Sequence, residues 1–152
     1  MAYENNRQGG FWGCSFGWDS ASVEGLNNVY LQFENDQLCF KVQVLDEPKQ
    51  SELRDLVSRK LLEAAEGSGL RVEKPARFGK GTYMTVARLS TSPLAGGLDW
   101  DRLVGRLREA RDLVAKTCDL LVASSTAPPT CKKCGGPLEG EGLCPACFAA
   151  EA

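Results

Sequence analysis

Hydrophobic and polar residues alternate most regularly in NVYLQFENDQLCFKVQV, residues 28 to 44. Val29, Leu31 and Phe33 take every second position, and Leu38, Phe40, Val42 and Val44 resume the same period after Asn35-Asp36. A period of two places these side chains on one side of a pleated strand, and Asn-Asp suits a tight turn. The stretch therefore predicts a β-hairpin with one buried face. Beyond Pro48 the period lengthens. In SELRDLVSRKLLEAAEGSG, residues 51 to 69, Leu53, Leu56, Val57, Leu61 and Ala64 fall on one helical stripe, with Ser51 placed to cap the start and Gly67 to supply a left-handed stop. LRV at 70 to 72 predicts a short strand, and TYMTVARL at 82 to 89 a better one, entered through a flexible FGKG at 78 to 81. A second helix, from 98 to about 122, follows from Leu103, Val104, Leu107, Ala110, Val114, Cys118 and Leu121, which return at spacings of one, three or four. Asp99 is its natural N-cap, and Asp99 and Asp101 suit the positive end of the helix dipole.

Two helices with polar outer faces must bury their stripes, and the apolar surface of matching size is one face of the sheet. The expected fold class is α+β: an antiparallel sheet with two helices packed on one face, followed by a C-terminal zinc ribbon. Residues 1 to 10 read as a loose arm, and 11 to 123 as the α+β domain. SSTAPPT, residues 124 to 130, is an exposed Pro-rich linker before a cysteine module at 131 to 148. FWGCSFGW, residues 11 to 18, suits an irregular or edge strand whose Phe11, Trp12, Phe16 and Trp18 either cover part of the core or form an aromatic patch for a partner.

Composition narrows the function classes. A chain of 152 residues, 43% hydrophobic, has room for one ordinary domain and a small appendage. A charged fraction of 25% and a formal charge of -2 exclude a surface devoted as a whole to nucleic acid, so any such binding must be local. Histidine is absent, which removes every catalytic arrangement built on imidazole. The N-terminal MAYENNRQGGFWGCSF has no signal architecture, and no apolar run approaches the ~20 residues of a membrane span. A cytoplasmic protein with no membrane partner is expected. Its seven cysteines, an odd count in a reducing compartment, argue against a disulfide framework.

Four of those cysteines form two Cys-x-x-Cys pairs, Cys131 with Cys134 and Cys144 with Cys147, separated by nine residues. Each such turn aims both sulfurs at one centre while its amides donate to them, and two turns close a tetrahedron at the ~2.3 Å Zn–S distance. Gly135 helps the first turn complete, Gly140 and Gly142 fit a hairpin tip, and Leu138 and Leu143 form a small apolar patch. A piece this short cannot bury enough surface to fold alone, so one structural Zn²⁺ would supply the folding free energy. An iron cage of four thiolates and a pair of redox motifs are the alternatives. The pattern C-x-x-C-G…L…C-x-x-C resembles the short zinc ribbons found at the ends of many bacterial, archaeal and phage proteins; Phe148 stands where that family often has Gly. The module either caps the fold or seeks a partner. Four thiolates with Zn²⁺ carry -2, and Lys132 and Lys133 against Glu139, Glu141 and Glu151 leave a further -1, so the module would repel phosphate and favour a protein partner.

The most basic window is RVEKPARFGKGTYMTVAR, where Arg71, Lys74, Arg77, Lys80 and Arg88 face one acid, Glu73. A net +4 around a Gly-flanked loop could cradle an acidic ligand or a nucleic-acid backbone; the alternative is a solvated loop whose Arg77 and Lys80 meet acids on the helices. Arg102, Arg106, Arg108 and Arg111 are interspersed with acids and read as an ordinary polar helix face. The order YLQFENDQLCFKVQV, SELRDLVSRKLLEAA, EKPARFGKGTYMTVARL, within residues 28 to 122, resembles an α/β module found C-terminal in bacterial PD-(D/E)xK-superfamily nuclease-like proteins. That resemblance implies an accessory or recognition domain rather than the nuclease itself. Asp36 with Glu47-Pro48-Lys49 formally supplies the acid and acid-x-Lys types of a Mg²⁺ nuclease, but Pro48 interrupts a strand and Asp36 is explained by the turn. Cys14, Cys39 and Cys118 have no nucleophilic partner and read as small apolar residues. The leading expectation is a non-enzymatic zinc-binding interaction or adaptor protein of bacterial or phage origin within a larger assembly. The alternatives are nucleic-acid binding through residues 71 to 88 and, below it, a metal-dependent nuclease.

Overall fold

The computed structural model describes residues 2–5, 12–19, 23–34, 36–93, 95–97, 99–126 and 134. The chain divides into two compact units, Met1–Val122 and Ala123–Ala152. The first contains a six-stranded sheet built from β1 (Ala2–Asn5), β2 (Trp12–Asp19), β3 (Asn28–Glu34), β4 (Gln37–Gln43), β5 (Val72–Glu73) and β6 (Tyr83–Leu89). Their order across the sheet is β1-β2-β3-β4-β6-β5, and every neighbouring pair is antiparallel. Helix α1 (Gln50–Ala65) connects β4 to β5, and α2 (Trp100–Thr126) follows β6.

The β3–β4 hairpin has the predicted register. Val29 lies opposite Val42, Leu31 opposite Phe40 and Phe33 opposite Leu38. Residues opposite one another share a face, so the alternation read in the sequence becomes one continuous apolar surface. Asp36 closes the turn with φ of 65°, a left-handed backbone that Asp tolerates better than most residues. Met84 and Ala87 of β6 extend the same surface through their pairing with Val42 and Phe40. Between those two pairs the register shifts, which takes Val86 out of regular pairing; the buried Ser58 of α1 donates its hydroxyl to the Val86 carbonyl at 2.9 Å. A polar residue on the buried stripe of α1 is thereby accounted for.

Both helices cover that one face. Leu53, Val57, Leu61 and Ala64 of α1 and Ala110, Leu113, Val114 and Leu121 of α2 join a single hydrophobic cluster with Val29, Leu31, Phe40 and Val42, whereas Tyr30 and Cys39, on the opposite sheet face, lie outside it. Tyr30, Gln32 and Cys39 are nevertheless buried, so the hairpin has both faces buried at its centre rather than the one that the alternation predicts. The α+β class with two helices on one sheet face is the architecture of this unit. Asp99 caps α2 as predicted, accepting the Arg102 amide at 3.1 Å. Gly67, at φ 77°, follows the C-cap of α1 and ends it in the left-handed conformation.

Several boundaries differ from the sequence pattern. Residues 2 to 5, read as part of a loose arm, form β1, so β2 is an interior strand rather than an edge; its irregularity is a register shift between Phe16 and Asp19. Phe16 packs against the core, and the side chains of Phe11, Trp12 and Trp18 lie outside the described residues. The short strand is Val72–Glu73, displaced toward its partner residues Leu89 and Arg88. Ser51 caps nothing, because a 3₁₀ turn over Glu47–Lys49 runs directly into α1. Helix α2 continues to Thr126, into the stretch read as linker. Val104, on the predicted stripe, is 39% exposed, while Leu113 and Thr117 are buried instead. Thr117 is tolerated there because its hydroxyl donates to the Leu113 carbonyl at 2.7 Å, one turn back.

This packing predicts unequal costs along one period. Leu61→Ala removes a fully buried side chain between helix and sheet and should destabilise by about 2–5 kcal/mol. Val104→Ala at the exposed position should change stability by about 0.5 kcal/mol or less. Urea unfolding of the two variants measures the difference.

Candidate functional site

The pairing of β5 with β6 decides where the basic window goes. Val72 lies opposite Leu89 at the end of β6, and the chain then returns through residues 74–82 to Tyr83 at its start. Arg71 and Lys80 therefore sit near opposite ends of β6, separated by ~20 Å at the usual strand rise. Arg88 is on the polar sheet face, opposite Cys39; its Nη1 donates to Gln37 Oε1 at 3.4 Å, and its buried Nε has no partner among the described residues. The five cations do not converge on one cradle.

The intervening loop is tethered rather than loose. Arg54 of α1 donates from Nη1 to the Gly79 carbonyl at 2.7 Å, and its guanidinium lies 4.7 Å from the centre of the Phe78 ring. Lys74 Nζ lies 5.9 Å from the same ring, within the range of cation–π attraction. Arg77 and Lys80 are exposed, and among the described residues neither forms an ion pair with a helix acid. Lys80 instead lines an open concavity of about 390 Å³ that also includes Glu47, so the two charges there oppose each other.

At the other end of β6 the balance of charge is different. A pocket of about 270 Å³ is lined by Arg71, Arg102 and Arg106. Leu70, Leu89 and Pro93, also in its lining, are buried, and Leu70 and Leu89 belong to the hydrophobic core cluster. Thr91 and Ser92 supply hydroxyls, of which that of Ser92 donates to the Asp36 carbonyl and ties this loop to the β3–β4 turn. Arg102 donates from Nη1 to the Ala95 carbonyl at 3.2 Å, and Arg106 from Nη1 to Glu109 Oε2 at 3.0 Å. Arg71 has no carboxylate partner among the described residues. Each guanidinium presents five N–H donors, so most of the donor capacity around the pocket remains for a ligand. Arg102 and Arg106 were not separable from Arg108 and Arg111 by local pattern. The available signal was their spacing of four, which stacks them on one helix face.

The polar sheet face carries a second cluster. Glu34 and Lys41 form an ion pair, and Cys39 Sγ donates to Glu34 Oε2 at 3.7 Å. Burial first, and the Glu34 charge second, push the Cys39 thiol up to about 12. A thiol kept protonated is a poor nucleophile, in keeping with the reading of Cys39 as a buried apolar residue. Cys118 is half-buried against the core, and the side chain of Cys14 lies outside the described residues.

Of the four proposed zinc ligands, Cys134 is described and exposed, whereas Cys131, Cys144 and Cys147 lie outside the described residues. Among the described residues no group of three or more Cys, Asp or Glu is arranged to hold a metal. Asp36 precedes β4 and Glu47 follows it, so the two acids of the nuclease alternative stand a strand length apart, ~20 Å or more. No helix among the described residues is long and apolar enough to cross a membrane. Comparison of the chain with protein-family models, curated proteins and solved structures finds no match.

The Cys39 environment predicts its reactivity. Because the folded thiol ionises only near pH 12 rather than near 9, iodoacetamide at pH 8.5 should leave Cys39 unmodified in the folded protein and alkylate it in urea; peptide mass mapping reads both. The raised value also removes stability as pH climbs from about 9 to about 12, since only the unfolded thiol ionises in that window.

Proposed function

We propose that this chain is a non-enzymatic interaction protein, in which an α+β body is joined to a zinc-holding module of four cysteines and works as an adaptor within a larger assembly. The observation that carries this reading is the division of the chain after Val122, with both Cys-x-x-Cys pairs in the second unit. A separate unit with so few apolar residues relies on a bound ion for its folding free energy, and its acidic balance directs it toward a protein surface rather than phosphate. Metal analysis of the purified chain should find about one zinc per molecule, with Cys144→Ser abolishing binding and leaving the melting of the body unchanged. Metal-free protein would end the zinc reading. A chain ending at Ala127 keeps all of α2 and should lose partner capture; equal capture by both chains removes the cysteine module from the role.

A second reading, nucleic-acid binding through Arg71, Lys74, Arg77, Lys80 and Arg88, is supported by the exposure of the first four. With Arg71 before β5, Lys74, Arg77 and Lys80 in the returning loop and Arg88 on β6, such binding follows an extended backbone. Fluorescence anisotropy with labelled DNA or RNA should weaken steeply with salt and with Arg77→Glu combined with Lys80→Glu. Salt-independent binding, or binding unaffected by the double substitution, would reject it.

A further inference from the structure

We propose that the pocket between Arg71, Arg102 and Arg106 binds the phosphoryl group of a small phosphomonoester. The inference stands apart from the cysteine module and shares only Arg71 with the nucleic-acid reading. Its three cations come from separate parts of the chain: Arg71 precedes β5, and Arg102 and Arg106 lie one turn apart on α2. They meet only because α2 packs on the sheet beside the end of β6.

The charge of the site selects the ligand. A carboxylate offers one negative charge and two oxygens, fewer than three guanidiniums can engage. A phosphomonoester near neutral pH carries close to two charges and three terminal oxygens, each able to accept several charge-assisted hydrogen bonds. Two contacts set the arginines without exhausting them, since Ala95 and Glu109 each occupy an Nη1 of one guanidinium. The Thr91 hydroxyl adds a neutral polar group in the lining. The attraction does not come from the helix terminus, because the Asp99 carboxylate already takes the Arg102 amide. Size limits the remainder of the ligand. At about 270 Å³ the pocket falls just below the ~300–1,000 Å³ of sites for drug-sized molecules, which leaves room for a phosphoryl group on a body of a few carbons. The buried Leu70, Leu89 and Pro93 give that body an apolar contact.

Glu109 supplies a test that a structural role for these arginines would not pass. It competes with the ligand for Arg106, so neutralising it should strengthen phosphate binding while removing an exposed ion pair of little consequence for stability. Isothermal titration calorimetry on the full chain would compare ribose 5-phosphate, inorganic phosphate and ribose, together with an oligonucleotide bearing a 5′-phosphate or a 5′-hydroxyl. Saturable binding of ribose 5-phosphate and phosphate, none of ribose, is expected. Arg71→Gln and Arg106→Gln should each weaken it about tenfold or more, and Glu109→Gln should tighten it severalfold, with circular dichroism melts establishing that the variants fold. Binding that is unchanged in Arg71→Gln and Arg106→Gln, or unmoved by Glu109→Gln, overturns the assignment. Capture of the 5′-phosphorylated oligonucleotide at concentrations where ribose 5-phosphate does not bind overturns the small-ligand class in favour of nucleic acid.

Discussion

Burial of one sheet face beneath two helices is the constraint from which the rest of the body follows. The rows Val29–Val42–Met84 and Leu31–Phe40–Ala87 make a surface that water must leave, and only helices with apolar stripes of comparable length can cover it. Leu53, Val57 and Leu61 supply one such stripe, and Ala110, Val114 and Leu121 the other. Among the described residues, polar side chains enter this layer with a hydrogen bond in hand. Ser58 takes the carbonyl that a register shift leaves at Val86, and Thr117 bonds back along its own helix.

The same packing distributes charge. Because β5 pairs with the end of β6, the basic stretch from Arg71 to Arg88 is stretched along the strand, with the 74–81 loop held to α1 by Arg54. Cations adjacent in sequence are thereby separated, while Arg71 lines one pocket with Arg102 and Arg106, some thirty residues later in the chain. The resulting pocket joins an apolar base to a surplus of guanidinium donors. A second concavity sets Lys80 beside Glu47 and has no such surplus. On the opposite sheet face the Glu34–Lys41 pair and the buried Cys39 thiol form a polar layer with little nucleophilic character.

The periodic elements were legible because their signals are local. Alternation across Asn28 to Val44, the helical stripe from Leu53 to Ala64, and Asp99 before α2 each depend on neighbours a few residues away. Pairing is not local, and it reversed or displaced several readings. Ala2–Asn5 carries a weak strand signal and becomes β1 by pairing with β2, and Val72–Glu73 takes its bounds from Leu89 and Arg88. Val104 falls on the helical period and still faces outward, because the stripe of α2 meets the core only from Leu107 onward.

By itself the sequence determined the class of the body, an antiparallel sheet with two helices, since the periods of two and of three to four are properties of the chain that hold before any tertiary contact forms. It also set the residue types at hand: no histidine, and cysteines gathered into two close pairs near the end. Tertiary structure alone decided which cations meet. Arg102 and Arg106 look like any solvated helix face until α2 lies beside the end of β6, and Arg71 looks like part of a basic loop until β5 turns it away from Lys80. Sites of this kind are made by contacts distant in sequence, and local pattern, which places Arg102 and Arg106 on one helix face, does not say what that face meets.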